Sequence, residues 1–475
     1  MSFQNKLISE ASTPQGCSST PSGGVGDGAA DALGTLRDTF TQDGAEGAKS
    51  PDKQGRNERR AGRMKLQRVA AEITPTMRVA HCLWTHYSKS VDLVRRPSEG
   101  GSCGARFVGV QTCGSVWICP VCSARISEVR RRELQALEDW AREQGHVTML
   151  MTLTARHRGR ALDPLVEALA EAKRRLQRRA VWKRLREAGQ IVGSVSVREA
   201  THGENGWHPH YHVLLALDVA NENEARELLE PLRQVWLECL RAEGLTGTAR
   251  RAFDLRGAAR VAAYVSKHGR DGEAGVEGDG KPAEPEPKGV PGWGMAAEMT
   301  QGRNKRGRRG GRSPFQILRD AAEGDEPSRV LWREYANAMH GRRQIVWSNG
   351  LKSAVGIGEI EDEKAAEGEA FTEDQDEEVA SWSPSEWRKV RHLRAELLAA
   401  AEADGASGVE RVLAQDDPEA DDGEVIDYEP PPKRDHPFWN PPAWRALKGG
   451  SLTRQALAAV RPPPDRQEVE DGSRA

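Results

Sequence analysis

The sequence has 475 residues, of which 37% are hydrophobic and 29% are charged. The length would allow about two to four domains, but so polar a composition predicts that much of the chain lies outside any packed core. No apolar run reaches the roughly 18 residues that a membrane span needs, and the N-terminus lacks a signal-peptide pattern. We therefore expect a cytoplasmic protein without a membrane partner.

The net charge of −2 conceals a division along the chain. Lysine and arginine predominate between residues 55 and 352, whereas aspartate and glutamate predominate from 353 to 475. A basic body with an acidic tail favours a polyanionic partner for the body, although a solvated surface would have the same composition.

The first segment, residues 1–54, is rich in Gly, Ser and Thr and is typical of a disordered terminus. Residues 55–145 contain a cysteine cluster followed by a helical pattern. Cys119 and Cys122 form a Cys-x-x-Cys pair, and Cys113 precedes them. Because such a pair fits a tetrahedral Zn²⁺, we predict a zinc-binding element whose fourth ligand is Cys82 or Cys103. Unligated thiols or a redox pair are the alternatives.

Residues 146–352 predict an α+β domain, an antiparallel sheet with helices mainly on one face. Residues 191–200 and 207–217 alternate with period two around a turn, so we expect them to pair as a hairpin. The other expected elements are a strand at 146–154, a helix at 163–188, a helix at 222–243, a strand at 251–255 and a helix at 257–268.

Two later segments interrupt or follow this domain. Residues 270–290 are rich in Gly, Pro and Glu and predict a flexible insertion. Residues 353–475 predict an acidic, largely disordered tail that contains one helix near 384–403.

The second predicted hairpin strand contains three histidines within five positions. His208, His210 and His212 lie on one face because side chains alternate along a strand. His210 and His212 can therefore bind one metal ion, and Glu199 on the partner strand is the best-placed oxygen ligand, with Glu204 second. Buried, hydrogen-bonded histidines and a surface glutamate are the alternatives.

The predicted helix at 257–268 carries Tyr264 and Lys267. The ammonium group of Lys267, at i+3, can lie near the Tyr264 phenol and favour its ionised, nucleophilic form. An amphipathic helix with a solvated lysine would have the same pattern.

An arginine-rich run follows the insertion. Such a Gly/Arg segment can follow a phosphate backbone with little sequence preference, or it can be a solvated loop. The basic residues that we expect to bind DNA are Arg303, Lys305, Arg306, Arg308 and Arg309.

Taken together, the motifs resemble those of the His-hydrophobic-His (HUH) endonucleases, and most closely the rolling-circle plasmid replication initiators. The resemblance rests on MLMTLT at 149–154, HPHYHVLL at 208–215 and YVSK at 264–267, in the order typical of the family. It also includes the cysteine run at 113–126 and the region 293–352.

The resemblance implies a nuclease that holds Mg²⁺ or Mn²⁺ through His210, His212 and Glu199. Tyr264 would attack the scissile phosphate to form a 5′-phosphotyrosyl intermediate and release a 3′-OH primer. The implied partners are single-stranded and supercoiled origin DNA and the host helicase and polymerase. The family pattern also favours Cys82 as the fourth ligand of a structural Zn²⁺.

One position departs from the family. Some members carry a glutamate one turn before the tyrosine, where this chain has Arg260, and Glu298 is a candidate replacement. Two other functions stay open, a rolling-circle transposase of the HUH class and a non-enzymatic zinc-dependent DNA-binding protein.

Overall fold

The computed structural model describes residues 53–96, 104–156, 159–257, 311–367 and 376–416. The predicted insertion at 270–290 lies outside these residues. So does the predicted N-terminal disorder, apart from Lys53 and Gln54, which begin the first helix.

A five-stranded antiparallel sheet forms the centre of the described structure. Its strand order is β6-β3-β5-β4-β7, so β5 is the middle strand. The strands are β3 (Val147–Thr154), β4 (Ile191–Gly203), β5 (Gly206–Leu217), β6 (Phe253–Gly257) and β7 (Ile345–Trp347).

The strands β4 and β5 form the predicted hairpin. Their register pairs Glu199 with His210 and Gly203 with Gly206, so the turn contains only Glu204 and Asn205. A two-residue turn of this kind is favoured by polar residues and a following glycine, and Gly206 has φ +85°. The antiparallel sheet and its helices confirm the α+β class.

The larger helical layer covers one face of the sheet. Buried side chains of β3 and β5 pack there against apolar residues of five helices, and Trp236 is fully buried among them. The helices around this layer are α3 (Leu162–Arg178), α4 (Ala180–Glu187), α5 (Glu222–Leu229), α6 (Pro231–Ala242) and the short α7 (Ala249–Ala252).

Three boundaries in this layer differ from the prediction. The helix expected at 222–243 is two helices, because Pro231 cannot continue the hydrogen bonding of the first. The helix expected at 163–188 breaks at Arg179, whose backbone is extended. The strand expected at 251–255 begins at Phe253, after α7.

The opposite face of the sheet is only partly covered. Leu134 and Leu137 of α2 (Pro120–Glu143) and Leu351 of α10 (Leu351–Val355) pack on Leu214 and its neighbours. The remaining part of this face, toward the β4–β5 turn, carries the histidines.

A second, three-stranded sheet has the order β2-β1-β8. Its strands are β1 (Val91–Arg96), β2 (Gly104–Val108) and β8 (Glu377–Trp382). The helices that share a buried core with this sheet are α1 (Lys53–Ile73), α8 (Pro314–Ala322), α9 (Glu326–Met339), α11 (Asp362–Glu367), α12 (Pro384–Val390) and α13 (Arg394–Gln415).

Residues 376–416 lie within the segment predicted to be a largely disordered tail, and the structure shows them folded. The strand β8 pairs with β1, and Trp387 and Leu397 are fully buried in the core around the cysteines. The acidic composition of the segment concealed these apolar positions, which the fold brings onto one surface. Phe315 and Trp332, predicted to belong to the nuclease domain, lie in the same core.

Across the described ranges, no helix is both long enough and apolar enough to cross a membrane.

Candidate functional site

The middle strand β5 presents its three histidines on the partly open face of the large sheet. His208, His210 and His212 alternate with Pro209 and Tyr211, which point into the helical layer. The ring centroids of His210 and His212 are 4.9 Å apart. The period of the strand thus separates a polar site from an apolar core within five residues.

Glu199 on β4 completes a three-residue group with two of these histidines. Its Oε2 lies 3.2 Å from His210 Nε2 and 3.7 Å from His212 Nε2. The three donor atoms lie within 4.8 Å of one another. Two ligands bonded to one ion at about 2.1 Å are about 3.0 Å apart at right angles, so this spacing fits one divalent cation.

Neighbouring atoms orient both imidazole rings toward Glu199. Nδ1 of His210 lies 3.2 Å from the carbonyl oxygen of His208, which can only accept a hydrogen bond. In the neutral ring, Nε2 of His210 therefore keeps its lone pair. Nδ1 of His212 lies 3.1 Å from the Thr152 hydroxyl, on the adjacent strand β3. Such contacts to the far ring nitrogen are typical of metal-binding histidines.

The carboxylate of Glu199 is buried, and its environment favours a cation. Burial by itself raises the pKa of this carboxyl, but the positive charge and hydrogen bonds of His212 and His210 in their protonated forms outweigh it and lower the pKa well below its usual value. The second oxygen, Oε1, is buried without a hydrogen-bond partner in the described structure. An unpaired buried carboxylate oxygen is costly, and a bound cation would remove that cost.

A half-buried pair of cations, Lys173 and Arg198, lies on the opposite face of β5. The Arg198 guanidinium donates two hydrogen bonds to the Tyr211 hydroxyl, at 2.7 and 3.0 Å. The Lys173 ammonium lies 5.2 Å from the centre of the Tyr211 ring. Burial, with the charges of Arg198 and Arg174, lowers the pKa of Lys173 to about 8.

The second group consists of four buried cysteines, Cys82, Cys113, Cys119 and Cys122, in the core next to the smaller sheet. Sγ of Cys82 lies 3.4 Å from that of Cys122 and 3.8 Å from that of Cys119, and Cys113 lies 3.6 Å from Cys122. Four sulfurs bonded at about 2.3 Å to a tetrahedral ion are about 3.8 Å apart. All four thiols are free, so the spacing fits a single metal ion.

Hydrogen bonds support negative charge on Cys119. Burial opposes ionisation of this thiol, but bonds from the neighbouring thiols and from the Cys122 amide lower its pKa well below the usual value. Nε2 of Gln67 also donates to Cys119 Sγ at 3.2 Å. Arg394 of α13 donates to Gln67 Oε1 at 3.0 Å, so α13 is linked to the cysteine cluster through the Gln67 side chain.

Several residues predicted from the sequence lie outside the described ranges. They are Tyr264, Lys267, Cys103, Arg260, Glu298, Arg303, Lys305, Arg306, Arg308 and Arg309. Glu204 is described, but it lies exposed in the β4–β5 turn and outside the three-residue group.

The basic helix α3 is less available to a partner than its sequence suggests. Arg174 pairs with Glu171, Arg175 with Glu243, and the turn after the helix pairs Arg179 with Glu238. These ion pairs neutralise much of the positive charge on that part of the helix.

Thr152 and Gln67 are not among the residues predicted from the sequence. Thr152 contacts His212 because of the register between β3 and β5, and Gln67 contacts Cys119 because α1 packs next to the cysteine cluster. For Thr152 the only signal available was its period-two spacing from Thr154 within the first motif.

Comparisons with known proteins relate part of the chain to a protein family. Residues 105–241 match the model of a family described as replication protein. That stretch contains three of the clustered cysteines together with Glu199, His210 and His212.

Two curated relatives come from Streptomyces. A "Protein rep" of Streptomyces lividans is 26% identical over 317 residues, which covers 53% of this chain and 65% of that protein. A "Neomycin resistance protein" of Streptomyces cyanogenus is 31% identical over 144 residues, covering 25% of this chain and 33% of that protein. The chain thus matches less than two thirds of either relative. No solved structure matches the chain significantly.

Proposed function

We propose that the chain, which matches the replication protein family over residues 105–241, is a plasmid replication initiator that nicks one DNA strand at the origin. The observation that carries the proposal is the group of Glu199, His210 and His212 on the middle strand. These three donors, with one unpartnered carboxylate oxygen, are suited to an ion that acts on phosphate.

In this proposal Glu199, His210 and His212 hold Mg²⁺ or Mn²⁺. The ion supplies positive charge against a scissile phosphate, and the mixed nitrogen and oxygen ligands favour Mn²⁺. Cys82, Cys113, Cys119 and Cys122 hold a structural Zn²⁺, since four thiolates at tetrahedral spacing are its preferred set.

The nucleophile is Tyr264, assisted by Lys267. The phenolate oxygen attacks phosphorus, the bond from phosphorus to the 3′ oxygen breaks, and that oxygen takes up a proton to become a 3′-OH. The protein stays linked to the 5′ end of the downstream strand, and the 3′-OH can prime a polymerase. Host helicase and polymerase are the expected further partners.

The test is covalent capture of DNA. The full chain is incubated with Mn²⁺ and a random pool of single-stranded oligonucleotides labelled at the 3′ end, and with supercoiled plasmid DNA. We expect the label to stay attached to the protein after denaturation, because the link is covalent. Sequencing the attached DNA should identify the nick site.

Three variants separate the roles. Tyr264→Phe keeps the ring but has no oxygen to form the ester, so adduct and cleavage should both disappear. His212→Ala should also abolish the adduct but keep DNA binding, whereas Lys267→Ala should slow the reaction without stopping it. Adduct formation at wild-type rates in Tyr264→Phe or His212→Ala would refute the assignment of that residue.

A wild-type chain that binds DNA but never forms an adduct would instead favour a non-enzymatic DNA-binding protein.

A further inference from the structure

A cavity of about 420 Å³ lies beside the histidine strand. It shares two residues with the surroundings of the candidate metal centre, Thr154 and His208. The Thr154 hydroxyl lies 3.3 Å from His208 Nε2, and the His208 ring stacks 5.3 Å from that of His210. The cavity therefore begins one side chain away from the candidate ligands.

The polar groups that line the cavity favour an anionic ligand. Arg156 and Arg251 are exposed on its walls, and within the described ranges neither side chain forms an ion pair. Asn205 and Thr248 add an amide and a hydroxyl, and no carboxylate is found among the described lining residues. By contrast, the nearby Arg233 is paired with a glutamate. Two unpaired guanidinium groups facing one space attract phosphate.

Backbone contacts hold the cavity walls together. The Arg156 amide donates to the Thr246 carbonyl at 2.7 Å, and the Gly159 amide donates to the Asn205 carbonyl at 3.1 Å. A Cβ atom on Gly247 would lie only 2.6 Å from Ala252 Cβ, so glycine is needed for this loop to close against α7. The end of β3, the hairpin turn and the loop before α7 thus form one preorganised surface.

We propose that this cavity binds the nucleotide next to the scissile phosphate, with Arg156 and Arg251 contacting its backbone phosphate and Asn205 facing its base. The proposal rests on the proposed nicking function and adds to it the place where the flanking strand is held. The volume is within the range of about 300–1,000 Å³ that small-ligand pockets have, which suits one nucleotide.

Direct binding tests the proposal without any need for cleavage. The probe is the single-stranded oligonucleotide that the full chain selects most tightly from a random pool, measured by fluorescence anisotropy without divalent ions. We expect Arg156→Ala and Arg251→Ala each to weaken binding by about tenfold, and each to reduce the slope of log affinity against log salt by about one. Arg250→Ala is the matched control, because Arg250 is exposed next to Arg251 but does not line the cavity.

A phosphate scan distinguishes a specific contact from general charge. Single neutral methylphosphonates are placed at successive positions of the oligonucleotide. At one or two positions the wild type should lose about tenfold in affinity, whereas Arg156→Ala should lose clearly less, because its own contact is already gone and only the Arg251 contact remains to be lost. Equal losses in wild type and Arg156→Ala at every position, or Arg156→Ala and Arg251→Ala binding like Arg250→Ala, would overturn the proposal.

These results separate the two proposals. If the wild-type chain forms covalent adducts but the phosphate scan shows no difference between wild type and Arg156→Ala, the proposed nucleotide site in the cavity is refuted and the nicking function is not. A successful scan without any adduct would refute nicking, and the cavity would then be a binding site for single-stranded DNA only.

Discussion

At the residue scale, the contact with Thr152 fixes the orientation of the His212 ring relative to the candidate metal site. Its hydroxyl lies 3.1 Å from His212 Nδ1, which leaves Nε2 directed at Glu199. We expect Thr152→Val, which keeps the branched shape, to lower Mn²⁺ affinity by about tenfold to a hundredfold because the ring loses its fixed orientation. Calorimetric titration of the purified chain with Mn²⁺ measures this.

Thr148→Val is the control for that change. Thr148 lies on the same strand, pairs with Ala216 and is half-buried, but it is remote from the histidines. Unchanged Mn²⁺ affinity in Thr152→Val, with folding intact, would exclude an orienting role for this hydroxyl.

Lys173 makes stability depend on pH. Its folded pKa of about 8 lies below the value of about 10.4 expected in an unfolded chain. Between these values the unfolded chain binds more protons, so the folded state gains stability as pH rises through this window. Below pH 8 the Lys173 ammonium group is charged in the folded chain, and its partial burial lowers the free energy of unfolding.

We therefore expect Lys173→Met to increase the free energy of unfolding at pH 7 by about 2 kcal/mol, an advantage that diminishes between pH 8 and 10. Denaturant unfolding of both proteins at several pH values measures the difference. Lys183→Met, at an exposed position, should give a small difference that is independent of pH. If the increase in the free energy of unfolding caused by Lys173→Met were the same at every pH, it would contradict a lowered pKa of Lys173.

At the element scale, α12 fastens the C-terminal part of the described chain to the smaller sheet. Trp387 is fully buried, donates to the Trp84 carbonyl at 3.1 Å and packs 4.9 Å from the Phe107 ring. Trp387→Ala should lower the free energy of unfolding by about 3–5 kcal/mol, because it leaves a large cavity and an unpaired carbonyl. Urea unfolding measures the loss, with Tyr87→Ala, at 68% exposure, as the aromatic control.

The middle strand β5 shows what could be predicted for an element and what could not. Its period of two was enough to predict that the histidines share a face and that Glu199 lies across from them, because hairpin register follows from a short polar turn. Thr152 could not be identified in this way. Thr152 lies on β3, which pairs with β5 although α3, α4 and β4 separate the two strands in the chain. No local sequence pattern gives the register of that pairing.

At the scale of the whole molecule, the resemblance to replication initiators is confirmed at the level of the family, and the α+β class is confirmed. The predicted domain boundaries were drawn from composition. Composition reports average polarity, whereas Trp387 and Leu397 enter a core through a few well-spaced apolar positions in an acidic segment. The cysteine spacing was more informative, since ligand chemistry restricts it more tightly than core packing restricts sequence.

The cysteine cluster and the histidine hairpin share one hydrophobic core. Cys119, Ala200 and Trp207 belong to the same buried cluster, and the Trp117 indole donates to the Arg342 carbonyl at 2.6 Å. We therefore expect Cys119→Ser to release metal and also to reduce hydrogen-exchange protection in the hairpin near Trp207. Metal analysis and exchange mass spectrometry measure the two effects.

Cys239→Ser is the matched control, because Cys239 is equally buried but lies in the helical layer. It should leave the metal content unchanged. Loss of metal in Cys119→Ser without any change in hairpin protection would mean that the two parts unfold independently.

The order of strands in the smaller sheet has a consequence for synthesis on the ribosome. Strand β1 lies between β2, which follows it closely, and β8, which is translated after every strand of the larger sheet. The larger sheet, which contains the histidines, can therefore form before β8 has been synthesised and paired with the other edge of β1. A nascent chain that stops before residue 376 carries an unpaired β1 edge, a site where newly made chains can associate with one another.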